Sequence, residues 1–320
     1  MTNQLFRRIT KVTIETPKGH LKFNGDDLEI RFTVPFDDDS KPNISNLQIY
    51  NLTKDTINKI KKGYNVSLSA GYKDDYGLLV EGKITSVTTK YEGVDKITTV
   101  KFKEGKDYNG VKVDHKTADA AKKYFVNKRV KLKKPIKTTH VGTNGRKYTR
   151  TTNFKTVKVA KWRKQTLNIT FARGTKASTI IKRLSGILGI KFAEFNLPRD
   201  KVYKKGYKVT GKIESKLNAV VKDCDAVMYW RRGKMVIRSI EIGNDERFTL
   251  SSSTGLIESP QQYEDDDFKG YSVRCLLQHR ITTASIIKIE SKTANGKYRA
   301  RKGQHMYDGT DFITEVEVIE

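Results

Sequence analysis

The sequence predicts a mainly β protein with an α/β middle domain, in which two small β-barrels flank a two-layer α/β unit and a basic insertion. Three observations support this prediction. Short alternating apolar runs fill both ends of the chain, helical spacing occurs mainly in the middle, and one segment holds most of the net positive charge. We expect the domains at residues 1–105 (first barrel), 106–165 (basic insertion), 166–245 (α/β domain) and 246–320 (second barrel).

The first 105 residues have the pattern of several half-buried strands. Apolar and polar residues alternate over Leu28–Val34, Val66–Tyr72 and Val80–Ile84, the period of a strand with one buried face. A short helix interrupts them, with Thr53 as a candidate N-cap and Gly63 as its end. Many short strands with turn residues between them favour a small barrel or sandwich.

The basic insertion has a different pattern. A short helix is predicted over Thr117–Val126, and the densest basic stretch follows over Lys128–Lys137. Asn144 and Gly145 then form a strong two-residue hairpin signal, and the residues flanking them are almost wholly polar. A two-stranded ribbon without an apolar face is marginal alone in water. We therefore expect this ribbon to be a mobile arm or to bind a partner.

Residues 166–245 have the pattern of a compact α/β unit. A helix is expected to begin at Thr175 or Ser178 and to end at Gly189, and a second helix is expected after Ser215. Two strands then fold back on each other at Arg232 and Gly233. The predicted order of elements is β-α-β-β-α-β-β, which is typical of a two-layer domain.

The last 75 residues return to short alternating strands, with turns predicted at Asn295-Gly296 and Asp308-Gly309. The chain has two cysteines, Cys224 and Cys275, each inside an apolar pattern. Buried free thiols are therefore expected in place of a disulfide or a metal site, as in a protein that folds in a reducing cytoplasm.

The positive charge is concentrated in one segment. The chain carries a net charge of +27, and residues 120–193 contain 21 Lys and Arg but no acidic residue, which leaves +6 for the rest. Such a segment repels itself unless it faces water, counterions or a polyanion. Nucleic acid, an acidic neighbouring protein and a polyanionic cell-surface polymer are candidate partners. A solvated face in a lysine-rich protein is the alternative.

The candidate contact residues for a polyanion or partner lie in the insertion. They are Lys128, Arg129, Lys131, Lys133, Lys134, Arg146, Lys147 and Arg150. Aromatic residues, including Phe154 and Trp162, are interleaved with these cations, as in single-strand nucleic-acid binders. Both aromatics fit a core position equally well. Nucleic-acid binding through residues 120–193 is therefore an alternative function.

No catalytic, cofactor or metal-binding residue is predicted. The five histidines lack metal-ligand spacing, and no nucleophile or phosphate-loop motif occurs. The acidic clusters Asp37–Asp39 and Asp265–Asp267 lack the spacing of a calcium loop, so we interpret them as solvated turns. A wall-degrading enzyme with unrecognised paired carboxylates is the third hypothesis.

The sequence predicts no membrane span, since it has no apolar run of about 18 residues. The segment Met1–Arg8 lacks the apolar core of a signal peptide. If the protein leaves the cell, we expect it to do so by lysis or within an assembly.

Five segments in three parts of the chain carry a resemblance to a known family. The segments Gly255–Pro260, Lys269–Leu277 and Lys302–His305 are similar to the final barrel of phage baseplate hub proteins, in particular the hub of PBSX-type defective prophages with contractile tails. Leu47–Leu52 resembles the first barrel of that family, and Gly174–Ile181 the start of its middle domain. The likeness covers nearly the whole chain except roughly residues 110–165.

The resemblance implies a structural, non-enzymatic protein of the virion tail baseplate, made in the bacterial host cytoplasm. It implies a homotrimer in which two similar barrels per subunit form a pseudo-sixfold ring. That ring joins the tail tube protein to the central spike protein, contacts other baseplate proteins and lets DNA pass. Residues 1–105 and 246–320 are then expected to share one fold. Because the chain ends directly after its last strand, no fused lytic domain is expected.

Overall fold

A computed structural model describes residues 6–105, 122–163, 169–264 and 268–320. The predicted mainly β class is confirmed, since strands dominate both ends of the chain and the two longer helices lie in the middle. Most of the strands belong to one 13-stranded sheet.

The N-terminal part forms seven strands and one short helix. They are β1 (Arg8–Thr16), β2 (Gly19–Asn24), β3 (Ile30–Phe36), β4 (Ile44–Tyr50), α1 (Lys54–Lys59), β5 (Asn65–Tyr72), β6 (Asp75–Glu92) and β7 (Asp95–Glu104). Thr53 caps α1 as predicted, because its Oγ1 accepts the backbone N–H of Thr56 at 3.2 Å. The helix ends earlier than predicted, since Ile60 is already extended and its side chain enters the core.

The basic insertion contains one long antiparallel hairpin, β8 (Lys122–Val141) and β9 (Lys147–Arg163), which we call the basic hairpin. Its turn contains Gly145 at φ +75°, in the left-handed region that the Asn-Gly signal predicts. The predicted helix Thr117–Val126 is wrong for residues 122–126, which are strand; residues 117–121 lie outside the described residues. The aromatic and β-branched residues in this stretch favour a strand once a partner strand is available.

The middle part contains two helices and seven short strands. They are β10 (Ile169–Phe171), β11 (Thr175–Lys176), α2 (Ala177–Leu188), β12 (Phe192–Phe195), β13 (Val202–Tyr203), β14 (Tyr207–Val209), α3 (Ile213–Lys222), β15 (Val227–Arg231) and β16 (Lys234–Arg238). Strands β12, β16 and β15 form a three-stranded sheet. Both helices bury one apolar face, at Ile180, Ile181 and Leu184 in α2 and at Leu217 and Val220 in α3.

Two predicted helix starts in this part are wrong. Lys176 occupies the N-cap position of α2, and neither Thr175 nor Ser178 caps it. The Asp200 carboxylate takes the place of a side-chain cap: it accepts the backbone N–H of Ser178 at 2.8 Å and the Ser178 hydroxyl at 2.7 Å. Ser215 lies inside α3. The sequence signal failed because the carboxylate at the start of α2 comes from 22 residues downstream.

The C-terminal part forms six strands. They are β17 (Asn244–Leu250), β18 (Gln261–Glu264), β19 (Lys269–Leu276), β20 (Ser285–Glu290), β21 (Asn295–Tyr307) and β22 (Phe312–Ile319). The turn predicted at Asn295-Gly296 is displaced, since β21 begins there and Ser291 donates its N–H to the Ala294 carbonyl just before it. Cys224 and Cys275 are buried free thiols, as predicted.

The same strand order occurs in both parts of the large sheet. Strands β3 to β7 lie in the order β3-β4-β7-β6-β5, and strands β18 to β22 lie in the order β18-β19-β22-β21-β20. Every neighbouring pair in the two sets is antiparallel. A bulge also recurs, at Thr85 in β6 against β7 and at Arg301 in β21 against β22. We call the two sets the N-terminal repeat and the C-terminal repeat.

The two repeats are joined by an antiparallel pairing of β3 with β21, which we call the seam. It extends from Gly303 opposite Phe36 to Tyr307 opposite Phe32. The apolar cores cross this seam. Phe36 belongs to the core of the C-terminal repeat, whereas Phe312 packs in the core of the N-terminal repeat, 6.1 Å from the ring of Phe32. Neither core is therefore complete without the other repeat.

Buried ion pairs accompany the seam. Arg299 of β21 contacts Asp38 at 3.1 Å, and Arg280 contacts Asp75 at 2.5 Å. Arg299 and Asp38 have side chains only 4% and 13% exposed, so the solvated turn predicted for Asp37–Asp39 is wrong for Asp38, whereas Asp39 is exposed. The second predicted turn, Asp265–Asp267, lies outside the described residues. Desolvation and the neighbouring carboxylates raise the pKa of Asp37. Breaking such pairs leaves an uncompensated buried charge, which strongly destabilises a fold.

The seam predicts a specific glycine effect. A Cβ at Gly303 would lie 2.2 Å from the Glu315 carbonyl oxygen and 2.7 Å from Phe36 Cζ. Gly303→Ala is therefore expected to lower the free energy of unfolding by about 1–3 kcal/mol, as overpacking does. Gly296→Ala in the same strand is the matched control, because its nearest contacts would be an ordinary 3.5 Å. Urea unfolding measures both variants, and equal stabilities would contradict this account of the seam.

The seam also predicts an acid sensitivity. His305 is 1% exposed, its Nδ1 lies 2.8 Å from Thr314 Oγ1, and burial together with the charge of Arg232 lowers its pKa from 6.5 to about 3. The unfolded chain then binds more protons than the folded chain between these values. This contribution to stability is complete above about pH 6.5 and is lost as the pH falls toward 3.

We therefore expect His305→Gln to lose less stability than the parent protein between pH 7 and pH 5. Urea unfolding midpoints at several pH values measure the difference, with the exposed His20→Gln as the control substitution. Stability still falls with decreasing pH in every variant because of His279, whose pKa burial lowers to about 4. Parallel curves for the parent and His305→Gln would show that His305 does not contribute.

Candidate assembly surfaces

The basic hairpin is a long exposed ribbon. At about 3.3 Å per residue, the 20 residues of β8 span roughly 65 Å. All eight predicted contact residues are exposed, and none forms an ion pair with a described carboxylate. The ribbon therefore presents its cations to the solvent along its length.

The structure spreads the eight predicted residues over three regions of the basic hairpin. Lys128, Arg129 and Lys131 lie on the paired part of β8, where successive side chains point to opposite faces. Lys133 and Lys134 lie in a bulge, the register shift between Lys131 and Ile136.

The other three lie at the tip of the basic hairpin. Arg146 is in the turn, where its carbonyl accepts the N–H of Gly142 at 2.8 Å. Lys147 and Arg150 follow on β9. The eight cations are thus not brought together into one compact anion site, and their spread suits an extended acidic surface or strand.

Aromatic side chains lie among these cations on the surface. The guanidinium of Arg129 sits over the ring of Phe154, with 5.1 Å from Cζ to the ring centroid. Phe154 is 42% exposed, so its predicted alternative as a core residue is wrong. Tyr148 is 54% exposed near the tip. The side chain of Trp162 lies outside the described residues.

Two strand edges form a second candidate surface, which the sequence did not identify. Strand β6 pairs with β5 only as far as Lys83, and its residues 85–92 pair with β7 alone among the described strands. Strand β18 pairs with β19 and stands at one end of the described sheet. The available signal was the segment Ser86–Glu92, in which the apolar alternation of a covered strand gives way to mainly polar residues.

One groove on the sheet surface contains several carboxylates, most of which contact cations. The groove, with a volume of about 520 Å³, is lined by residues that include Glu258, Arg274, Lys302 and Glu317. Arg274 lies 3.2 Å from Glu258, and Lys302 lies 3.2 Å from Glu317. Glu315 also lies 3.6 Å from Arg274, whereas Asp37, the fourth carboxylate of the groove, accepts the backbone N–H of Asp39 at 3.2 Å. Within the described residues, no three His, Cys, Asp or Glu side chains are grouped as they would be to hold a metal ion.

Solved structures of phage tail proteins share this fold. A 43 kDa tail protein of prophage MuSo2 from Shewanella oneidensis is similar with a TM-score of 0.58 and 7% identity, over 97% of this chain and 98% of that chain. The tail protein from Neisseria meningitidis MC58 is similar with a TM-score of 0.55 and 9% identity, over 98% and 97%.

A third similar structure comes from a secretion system. The E. coli c3393 protein is described as a component of the type VI secretion system with structural similarity to the T4 phage tail proteins gp27 and gp5. It matches with a TM-score of 0.53 and 7% identity, over 91% of this chain and 73% of that chain. At these identities the likeness shows a common fold, so this chain has a phage-tail-type fold. The resemblance to the PBSX-type hub in particular stays a prediction.

The sequence comparisons add no closer assignment, since no protein-family model and no curated protein matches the chain. In the part of the chain that the structure describes, no helix is both long and apolar enough to cross a membrane.

The tip of the basic hairpin is expected to be dispensable for folding. Residues 138–152 bury no apolar side chain, since even Val141 and Tyr148 are more than half exposed. Deleting them should leave the melting temperature unchanged while it weakens assembly with an acidic partner. Differential scanning calorimetry and a tail-assembly assay measure the two effects. An unfolded product would show that the tip is part of a core, and normal assembly would show that its charge is only a solvated face.

Proposed function

We propose that this protein is a structural hub of a phage or phage-like contractile tail baseplate. Three subunits, each with two repeats, form a pseudo-sixfold ring that joins the tail tube to the central spike and passes DNA. The recurrence of one strand order in the N-terminal and C-terminal repeats carries this proposal. A threefold assembly can match a sixfold tube only if each subunit presents two similar surfaces.

The phage-tail-type fold supports a place in the virion, after synthesis in the host cytoplasm. The structural match extends over nearly the whole length of two tail proteins, which favours a whole hub over a single barrel module. The further partners of the proposed ring are the tube protein, the spike protein and neighbouring baseplate proteins. We expect no catalytic activity, because the hub role requires none and three of the four carboxylates that line the described groove are held in ion pairs.

The basic hairpin is proposed to contact an acidic surface of a neighbouring baseplate protein, with passing DNA as the second choice. The eight predicted cations are all exposed and lie along a ribbon, which fits an extended acidic surface better than a compact ligand. Such a contact releases counterions, so its affinity should fall steeply with added salt.

A density map of the assembled tail tests the hub proposal. We expect three copies of this chain in one ring between tube and spike, with the two repeats of each copy related by about 60° around the tail axis, as six similar positions require. Any other position in the particle would contradict the proposal. Cell-wall clearing by the purified chain that one Asp or Glu substitution abolishes would overturn the non-enzymatic part.

Nucleic-acid binding through residues 120–193 is the alternative function. The exposed stacking of Arg129 on Phe154 favours it, because single-strand binders use cations and aromatic rings together. Titration of a fluorescent single-stranded oligonucleotide distinguishes the two functions when it is combined with the molar mass in solution. A hub trimerises without nucleic acid, whereas a binder stays a monomer and loses affinity in Phe154→Ala, for which the exposed Ile136→Ala is the control.

A further inference from the structure

The seam between the repeats inside one chain indicates how two chains can join. Matching the repeats strand by strand places β3 on β18 and β6 on β21. In the seam, β3 of the N-terminal repeat pairs with β21 of the C-terminal repeat. The corresponding second contact would pair β18 with β6. Within the described residues this contact is not made in the single chain, because β6 pairs with β5 and β7 and β18 pairs with β19.

We propose that β18 of one subunit adds to the edge of β6 in the next subunit. This inference rests on the proposed hub and names the surface that would close its ring. The contact is head-to-tail, so each chain offers one edge on each side, as a closed ring of identical subunits requires. It is an intermolecular use of strand addition, in which backbone hydrogen bonds extend a sheet across a subunit boundary.

The shared bulge fixes the register on the β6 side. Directly after the bulge, Ser86 pairs with β7 in the N-terminal repeat and Lys302 pairs with β22 in the C-terminal repeat. Counting three residues on, Thr89 corresponds to His305, which faces Val34 in the seam.

The register on the β18 side follows from the chain of pairings through the sheet. Thr33 pairs with Asn46, which pairs with Lys101, the β7 partner of Ser86. In the C-terminal repeat, Gln261 pairs with Ser272, which pairs with Glu317, the β22 partner of Lys302. Gln261 therefore corresponds to Thr33, and Gln262 corresponds to Val34.

The seam pairs His305 with Val34 and Met306 with Thr33. Translated to the proposed contact, Thr89 of one subunit faces Gln262 of the next, and Lys90 faces Gln261.

The side chains on both edges suit a contact made after folding. Thr89, Lys90, Gln261 and Gln262 are exposed, whereas Val34 and His305 at the matching places of the seam are at most 2% exposed. A polar edge with a lysine discourages indiscriminate strand pairing while the chain is alone. The proposed contact thus relies on backbone hydrogen bonds in one register and needs little apolar burial.

Disulfide trapping tests the register. Directly opposed residues of an antiparallel pair have Cβ atoms about 4.5–5.5 Å apart, close enough for a disulfide after a small adjustment. Thr89→Cys chains are mixed with Gln262→Cys chains and oxidised, and Cys224 and Cys275 do not interfere because both are buried. Mixed dimers are expected, with no homodimer of either variant alone. Thr88→Cys mixed with Gln262→Cys is the control, since Thr88 points to the opposite face of β6, and should give roughly tenfold less product.

The double variant Thr89→Cys/Gln262→Cys distinguishes this inference from the hub proposal. Oxidation shows how many chains become cross-linked, and light scattering gives the oligomeric state. A covalent ladder that stops at three chains supports both. A trimer that forms no disulfide between its chains, or homodimers of either single variant, overturns the strand pairing and leaves the hub intact. A ladder that continues beyond three keeps the pairing and overturns the ring. Chains that stay monomeric at millimolar concentration without cross-linking overturn both.

Discussion

The pairing of β3 with β21 is the interaction on which the rest of the structure depends. One edge of β21 is divided, with its first residues paired to β20 and its last residues paired to β3. This division lets the two repeats share a sheet and exchange core residues, since Phe36 packs into one repeat and Phe312 into the other. The close approach leaves no room for a side chain at Gly303. The arrangement also buries Arg299 and Asp75, which pair with Asp38 and Arg280 of the opposite repeat.

Buried polar contacts also link the α/β part to the N-terminal repeat. Glu104, at the end of the N-terminal repeat, is 4% exposed and accepts the backbone N–H of Gly233 in the β15–β16 turn at 2.7 Å. Trp230 donates its indole N–H to the carbonyl of Ser40, close to the buried aspartates that follow β3. Burial raises the pKa of Glu104, because only the Gly233 N–H and the Asn43 amide oppose the cost of its charge. Polar groups that need partners from separate segments define one arrangement of those segments, since an unsatisfied buried acceptor costs about 1–3 kcal/mol.

Much of the fold was predictable where the determining signal is local. Alternation identified the strands around Phe32 and Leu68 because one face of each is buried, and Thr53 identified the start of α1 because a cap acts within one turn. The cap of α2 was missed because Asp200 is remote in sequence. The helix predicted across residues 122–126 failed because pairing with β9 outweighed local spacing. The eight contact residues are exposed as expected, but sequence could not show their spread, and the edges of β6 and β18 follow from long-range strand order alone.

The contrast between the seam and the proposed subunit contact implies an order of events. The seam buries Val34, Phe36 and His305, so its formation is part of chain folding and its loss would expose apolar surface. The edges around Thr89 and Gln262 expose polar groups that water satisfies in the free chain, so joining them exchanges hydrogen bonds with water for hydrogen bonds between strands at a small net gain. A contact of that kind is weak when it is made once and becomes stable when ring closure makes all copies of it simultaneous. In the proposed ring, folding of the two repeats onto each other would therefore precede assembly, and the same strand geometry would serve both steps with different side chains.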